Sequence, residues 1–361
     1  MRKPHVHRIP LALAFFLGLA WAYFSSNAAQ RSVAPVAPIL TEEGQLVVFD
    51  KITFQLRELA KKLPLDDPWP QGQEMERALE RFGLAKNLPP QAIPVPAEIA
   101  PGVYLVGQDR VSNLTYMIDC GPDGVAIIDP TYVSEFERTV ENVEKCGRSR
   151  KDIRWLLNTH CHVDHAMADG KFRELGAEIL IHEADADAVE KGTRVTAYYL
   201  VSKMTGVNYF PRSKVDRRLS DGEELTLGNR TIHVIHTSGH TPGSASFLLQ
   251  LGGRNLLFSG DTVLYDYCLG WQGNPYADNR QYLISLEKLE RFTLGSGPLR
   301  WDILLPGHGA ISMDKAYLDV RKARELVAAD LAAGREVLPV PFNTADYRAR
   351  MYGRPAVALL R

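Results

Sequence analysis

His160, His162, Asp164 and His165 fall within six residues of chain, in the segment Thr159-His160-Cys161-His162-Val163-Asp164-His165. Three imidazoles and a carboxylate packed so densely can hold metal ions, and a bound ion can activate water. The spacing sorts them. In an extended loop side chains alternate sides, so His160 and His162 point the same way and can grip one ion. His165 is out of phase and, with Asp164 beside it, suits a second. Cys161 points away from the histidine pair and reads as a bystander. The competing reading is a surface loop that happens to be rich in histidine, and the downstream sequence weighs against it.

Such ions take roughly four to six ligands, so each needs more than this segment gives. Three later segments offer them. His240 stands in the turn Thr237-Ser238-Gly239-His240-Thr241-Pro242-Gly243, after a strand-like run from Thr231 to His236. Asp261 ends the apolar run 255–258 in Phe258-Ser259-Gly260-Asp261-Thr262. His308 follows Ile303 to Leu305 in Leu305-Pro306-Gly307-His308-Gly309. Each sits where an apolar run breaks into a loop beside glycine, which permits the turns that let loops converge.

With these segments on the page, the chain resembles the metallo-β-lactamase superfamily of hydrolases. The order is that family's: Ala126-Ile127-Ile128-Asp129-Pro130, H-x-H-x-D-H, G-H-T-P-G, G-D-T and G-H-G, from about Gly102 to Gly309. One such motif is weak and five in order are strong. The resemblance implies an α/β fold, an αββα sandwich of two mixed sheets flanked by helices. It implies that His160, His162 and His240 hold one ion and Asp164, His165 and His308 the other, with Asp261 bridging. Asp129 would support the metal loop from behind, as ligating histidines require. One departure is Ala166-Met167-Ala168, where the family usually has a residue and then two glycines; it bears on the packing of the following helix.

Two ions a few ångströms apart can share a water and lower its pKa toward neutrality. The resulting hydroxide attacks an electrophilic carbonyl or phosphoryl centre, and Asp164 can orient it and relay its proton. The expected cofactor is two zinc ions, although imidazole and carboxylate also suit iron and manganese. Asp261 bears on the branch. Dizinc β-lactamases carry cysteine or serine in the G-D-T region, so Asp261 looks instead like the thioesterase, lactonase and phosphodiesterase branches. Glyoxalase II enzymes share the ligands but add a helical glutathione-binding region, whereas only about fifty residues follow His308 here. Persulfide dioxygenases follow G-D with Arg-Thr-Asp-Phe, which this chain lacks. Processing nucleases need a basic surface; the formal net charge of −1 offers none. The patch Arg212, Lys214, Arg217 and Arg218 is offset by Asp216, Asp221, Glu223 and Glu224, so no nucleic-acid partner is expected. The leading expectation is an exported hydrolase of an ester-like bond, thioester or lactone, in a small-molecule substrate. The alternatives are a β-lactam hydrolase and a mononuclear-iron oxygenase related to persulfide dioxygenases. Tyr198, Tyr199, Met204, Tyr209 and Phe210 in one insertion, and Tyr265, Tyr267, Trp271 and Tyr276 after Asp261, either wall the pocket or pack the insertions onto the body.

The elements that must position these groups follow from patterning. Arg2, Lys3 and Arg8 precede the apolar run 9–24 and then Ser25-Ser26-Asn27-Ala28-Ala29, the order of a secretory signal. Residues 1–28 are read as a signal peptide, periplasmic or secreted export being expected. Sixteen apolar residues fall short of a comfortable span, so membrane attachment through an uncleaved 9–24 is the alternative. Residues 29–97 read as a linker and helical extension, with helices over 45–62 and 72–86 and then a connector with Pro89, Pro90, Pro94 and Pro96. Residues 98–335 form the catalytic domain, with strands at 103–106, 115–118 and 125–128 and helices over 136–146 and 314–333; 336–361 is a tail. Cys120, Cys146, Cys161 and Cys268 allow three full pairings and favour none. His182, His233 and His236 match no ligand motif and read as structural.

Overall fold

The strand Val125–Ile128 is apolar at every position and buried on both faces, the pattern of a sheet covered on two sides. Its neighbours divide by period two. Val103, Leu105, Tyr116, Ile118, Ala126 and Ile128 face one way, into a core shared with Val234, Phe247, Leu249, Phe258 and Leu305 of a second sheet. Tyr104, Val106, Met117, Val125 and Ile127 face the other way, against helices. A third core joins Ile235, Leu248, Leu257 and Leu304 to helical residues Leu286, Val320 and Val327. The result is four layers, helices–sheet–sheet–helices. This computed structural model describes residues 33–335 and 337, apart from 42–43, 65–66, 71–72, 86–93, 110–112, 207, 266–268, 271 and 296. The export segment, Pro89, Pro90, Tyr267, Cys268, Trp271 and the tail beyond 337 lie outside the described residues, as does the side chain of Met204.

The first eight-stranded sheet runs Ala34–Pro35, Ala97–Ala100, Val103–Gln108, Leu114–Asp119, Val125–Ile128, Ile153–Asn158, Glu178–His182 and Arg217–Leu219 from edge to edge. The second runs Glu224–Leu227, Arg230–His236, Ala245–Leu251, Arg254–Gly260, Ile303–Pro306, Ala310–Ser312, Leu46–Phe49 and Ile39–Leu40. Both are mixed: Val125–Ile128 pairs parallel with Ile153–Asn158 but antiparallel with Leu114–Asp119, and Arg254–Gly260 pairs parallel with Ile303–Pro306 but antiparallel with Ala245–Leu251. Helices Phe136–Lys145, Asp169–Glu174 and Glu183–Lys191 cover the first sheet, and Asn279–Glu290 and Tyr317–Ala332 the second.

One helix differs from expectation. The spacing predicts a helix over 45–62, but it runs Lys51–Lys62, and Leu46–Phe49 is a strand. Four consecutive apolar residues suit a strand buried on both faces. Asp50 then starts the helix, its Oδ1 accepting the N–H groups of Ile52 at 2.8 Å and Thr53 at 2.9 Å. Residues 29–97 therefore supply edge strands to both sheets as well as the helices Lys51–Lys62 and Gln73–Arg81. Phe49 pairs with Ala310, two residues past His308.

Candidate metal centre

Every predicted ligand lies where a strand ends. His160 and His162 follow Ile153–Asn158, His240 follows Arg230–His236, Asp261 follows Arg254–Gly260, and His308 follows Ile303–Pro306. The extended stretch stops at His162. Val163–Ala166 is a single helical turn with His162 at its N-cap, so Asp164 and His165 reach the centre from a helix start rather than from an alternating strand. The loops are tied to one another. The Gly307 N–H donates to the Gly260 carbonyl at 2.8 Å, and the Ala245 N–H donates to Thr159 O at 2.8 Å. A Cβ on Gly307 would meet Asp261 Oδ1 and His165 Cε1, each at 2.6 Å, so that approach requires glycine.

The side chains converge in three overlapping groups, each with ligand atoms within 4.8 Å of one another: His160, His162 and His240; His160, His165 and Asp261; Asp164, His165 and His308. Asp261 stands between the outer two. Its Oδ1 lies 3.5 Å from His165 Nε2 and 3.4 Å from His308 Nε2, and its Oδ2 lies 3.5 Å from His240 Nε2. Asp164 Oδ2 is 3.5 Å from His308 Nε2 and 3.8 Å from His165 Nε2. The Nε2 atoms of His160, His162 and His240 and Asp261 Oδ1 are buried with no hydrogen-bond partner. Orphaned buried polar atoms are costly, and the three convergent imidazole nitrogens, with the Asp261 carboxylate beside them, fit bound cations.

Electrostatics agree. Burial, foremost, holds the His160 and His162 imidazoles well below the usual histidine range and His240 below it, which keeps them neutral with free lone pairs. Burial opposes charge on His165 too, but Asp261, Asp164 and Asp129 outweigh it and lift the ring to about 10. His308 is raised against burial chiefly by Asp261. Against its own burial, Asp261 is held well below the carboxylate range by His308, His165 and His240. The carboxylates thus call for positive charge, which protons on His165 and His308 supply and a dication would displace.

Asp129 lies behind the loop. Its Oδ1 accepts the Thr159 N–H at 2.8 Å, and its Oδ2 accepts Thr159 Oγ1–H at 2.7 Å and lies 3.1 Å from His165 Nδ1. That contact leaves His165 Nε2 for the centre. Asp129 has φ 52°, a left-handed conformation that costs a non-glycine residue energy and clusters at functional sites. Cys161 turns away; its N–H donates to Asp185 Oδ2 at 2.9 Å, and burial raises its thiol pKa. Neither His182, His233 nor His236 joins the cluster.

Sequence reasoning missed three supports. Asp185, fully buried, accepts from Cys161 N–H, from Thr241 Oγ1–H at 2.7 Å and from Gly243 N–H at 2.7 Å, and so binds the first histidine loop to the loop of His240. The signal was its place on the inner face of Glu183–Lys191, three and four residues before buried Ala188 and Val189. Tyr282 Oη donates to Thr262 O at 2.6 Å, and Ser285 Oγ donates to Ser238 O at 2.7 Å. Both stand on Asn279–Glu290, and nothing in their local sequence marks them.

A cavity of about 440 Å³ opens over the ligands, lined by His162, Asp164, His240, Asp261 and His308 and by Val163, Ala197, Leu200, Leu264 and Leu269. The two insertions do overhang the centre, but with aliphatic residues. Among the described aromatics, Phe210 is buried in the core and Tyr265 packs edge-on to Phe49, with ring centroids 5.5 Å apart.

Comparison with known proteins follows the same lines. Residues 109–308 match the family model of the metallo-beta-lactamase superfamily. A probable metallo-hydrolase of Methanocaldococcus jannaschii is 33% identical over 192 residues, 53% of this chain and 85% of the relative. An acyl-coenzyme A thioesterase of Gallus gallus is 29% identical over 161 residues, 42% of this chain, which spans 54% of that relative's length. Among solved structures, a metallo-beta-lactamase of Cronobacter sakazakii matches with a TM-score of 0.51 at 24% identity, over 66% of this chain and 94% of the other; that likeness speaks to the fold alone.

Proposed function

The chain belongs to the metallo-beta-lactamase superfamily, and from that premise we propose that this metallo-hydrolase cleaves an ester-like bond, a thioester or lactone, with two zinc ions. The carrying observation is Asp261, with one carboxylate oxygen toward His165 and His308 and the other toward His240. A side chain so placed would serve two cations at once. The aliphatic cavity and the likeness to a thioesterase support the bond class.

His160, His162 and His240 would hold one ion and Asp164, His165 and His308 the other. Bound there, they supply an activated water and polarise the substrate oxygen. The chain's residues do the rest. Asp129 fixes the orientation of His165 through Nδ1. Asp164, partly exposed toward the cavity, would orient the attacking water and relay its proton besides serving as a ligand. Val163, Leu264 and Leu269 exclude bulk water, which strengthens each charge interaction in the centre.

The test is metal analysis followed by a panel of thioesters, lactones, β-lactams and phosphodiesters. About two zinc ions per chain with turnover of thioesters or lactones is the expected result. One iron per chain with oxygen uptake would overturn it, and turnover of β-lactams alone would move the bond class. Export is proposed from the order of residues 2–29, and sequencing the mature N-terminus tests it: a start near residue 29 is expected, and a protein that keeps residues 9–24 at a membrane contradicts cleavage.

A further inference from the structure

The cavity has an apolar half built from residues outside the ligand set. Val163 comes from the turn between His162 and Asp164, Ala197 and Leu200 from the start of helix Tyr198–Thr205, and Leu264 and Leu269 from the loop after Asp261. Among the described residues, three separate segments thus bring branched or small aliphatic side chains to the cavity lining. Leu200 is 45% exposed while facing this cavity, apolar surface available for a ligand to cover. Ala197 has φ 56°, and the Arg194 guanidinium lies 3.9 Å over the Tyr199 ring, which occupies that ring away from the cavity lining. Among the described residues lining the cavity, the charged side chains are the metal ligands, with no lysine or arginine.

We propose that this wall is an acyl-chain site, and that the substrates carry a saturated aliphatic chain of several carbons beside the scissile carbonyl. Among the described lining residues a ring would find no aromatic partner. A terminal carboxylate held against these leucines would be desolvated, with no lysine or arginine among the described lining residues to meet it. Leu200, Leu264 and Leu269 then set chain-length preference. This inference rests on the ester-hydrolase reading, whose failure is separable from its own.

The experiment measures kcat/KM for thioesters of one neutral thiol, from acetyl through butanoyl and hexanoyl to octanoyl, with benzoyl and succinyl for comparison. Each methylene buried should raise kcat/KM about 4-fold until the wall is covered. Benzoyl and succinyl should fall below hexanoyl. Leu200→Asp, and the milder Leu200→Ser, should flatten the rise. Equal rates from acetyl to octanoyl, or a slope unchanged in both variants, would overturn the proposal. A second measurement is independent of turnover: calorimetric titration with octanamide and acetamide. Tighter octanamide binding with a negative heat-capacity change, weakened by Leu200→Asp, supports the chain site even if no thioester is cleaved, and in that case the hydrolytic reading alone fails. Octanamide binding no tighter than acetamide overturns the chain site whatever the enzyme hydrolyses.

Discussion

Two groups of histidines lie at the ends of the same sheets, and they differ in what their ring nitrogens meet. In the metal centre the rings of His160, His162 and His240 lean edge to face, with centroids 4.5–4.8 Å apart, and their Nε2 atoms converge with no protein partner. His182 and His236 instead stack face to face, 3.9 Å apart at 9°. Here the backbone takes up a nitrogen of each: His182 Nδ1 accepts the Ala184 N–H at 3.3 Å, and His236 Nε2 donates to Pro242 O at 2.9 Å. Both groups are histidine-rich, and His182 is as buried as His162 while His236 is half-buried, so composition does not separate them. Convergent lone pairs left without partners do, since a fold tolerates such atoms only where something else completes them.

The comparison breaks first at Asp261. Asp261→Ala removes both oxygens that face the two histidine sets, and it should abolish turnover and bring metal content well below that of the parent protein. The effect should exceed the 10–100-fold typical of residues that merely orient ligands. His182→Ala should leave metal content unchanged. Elemental analysis of both variants checks this directly. Retained metal and activity in Asp261→Ala would remove the bridging role.

The supports come next. Asp129→Asn keeps the shape but puts an amide where Thr159 N–H, Thr159 Oγ1–H and His165 Nδ1 converge. Zinc affinity, measured by competition with a chelator, should drop roughly 10–100-fold. Asp185→Ala leaves the Cys161 and Gly243 N–H groups and the Thr241 hydroxyl without their buried acceptor. At about 1–3 kcal/mol for an unsatisfied buried group, urea unfolding should show a loss of several kcal/mol, together with weaker zinc binding because two ligand loops part.

How much of this the sequence revealed depends on distance along the chain. His160, His162, Asp164 and His165 are local, so their spacing alone suggested two ions. His240, Asp261 and His308 were legible because each ends an apolar run beside glycine, a signal that survives without knowing the partner strand. Asp185 and Tyr282 act through contacts that only the packed sheets create. Residues 46–49 show a local failure: apolar residues there fit helical spacing, but pairing with Ala310–Ser312 decided for a strand. The overhanging segments were located by their aromatic content, yet their aliphatic residues line the cavity, because Phe210 and Tyr265 reach the core first.

The smallest expected effect concerns the stacked pair and is seen only against pH. Burial, with His236 stacked on it and Lys288 nearby, depresses His182 to about 4, while Asp221 opposes the shift. An unfolded histidine titrates near 6.5. Above that value both states are neutral at this residue, and its contribution to stability is fully present. As pH falls from about 6.5 toward 4 the unfolded chain takes up a proton that the folded ring refuses, so stability declines across that window and levels off below it. His182→Asn keeps an acceptor for the Ala184 N–H but cannot titrate. Thermal melts at pH 7.5 and pH 4.5 should therefore show a smaller acid loss in the variant, by a few degrees in Tm. An equal acid loss in both proteins would mean that the stack is not strained by acid and that other groups account for the acid sensitivity of the fold.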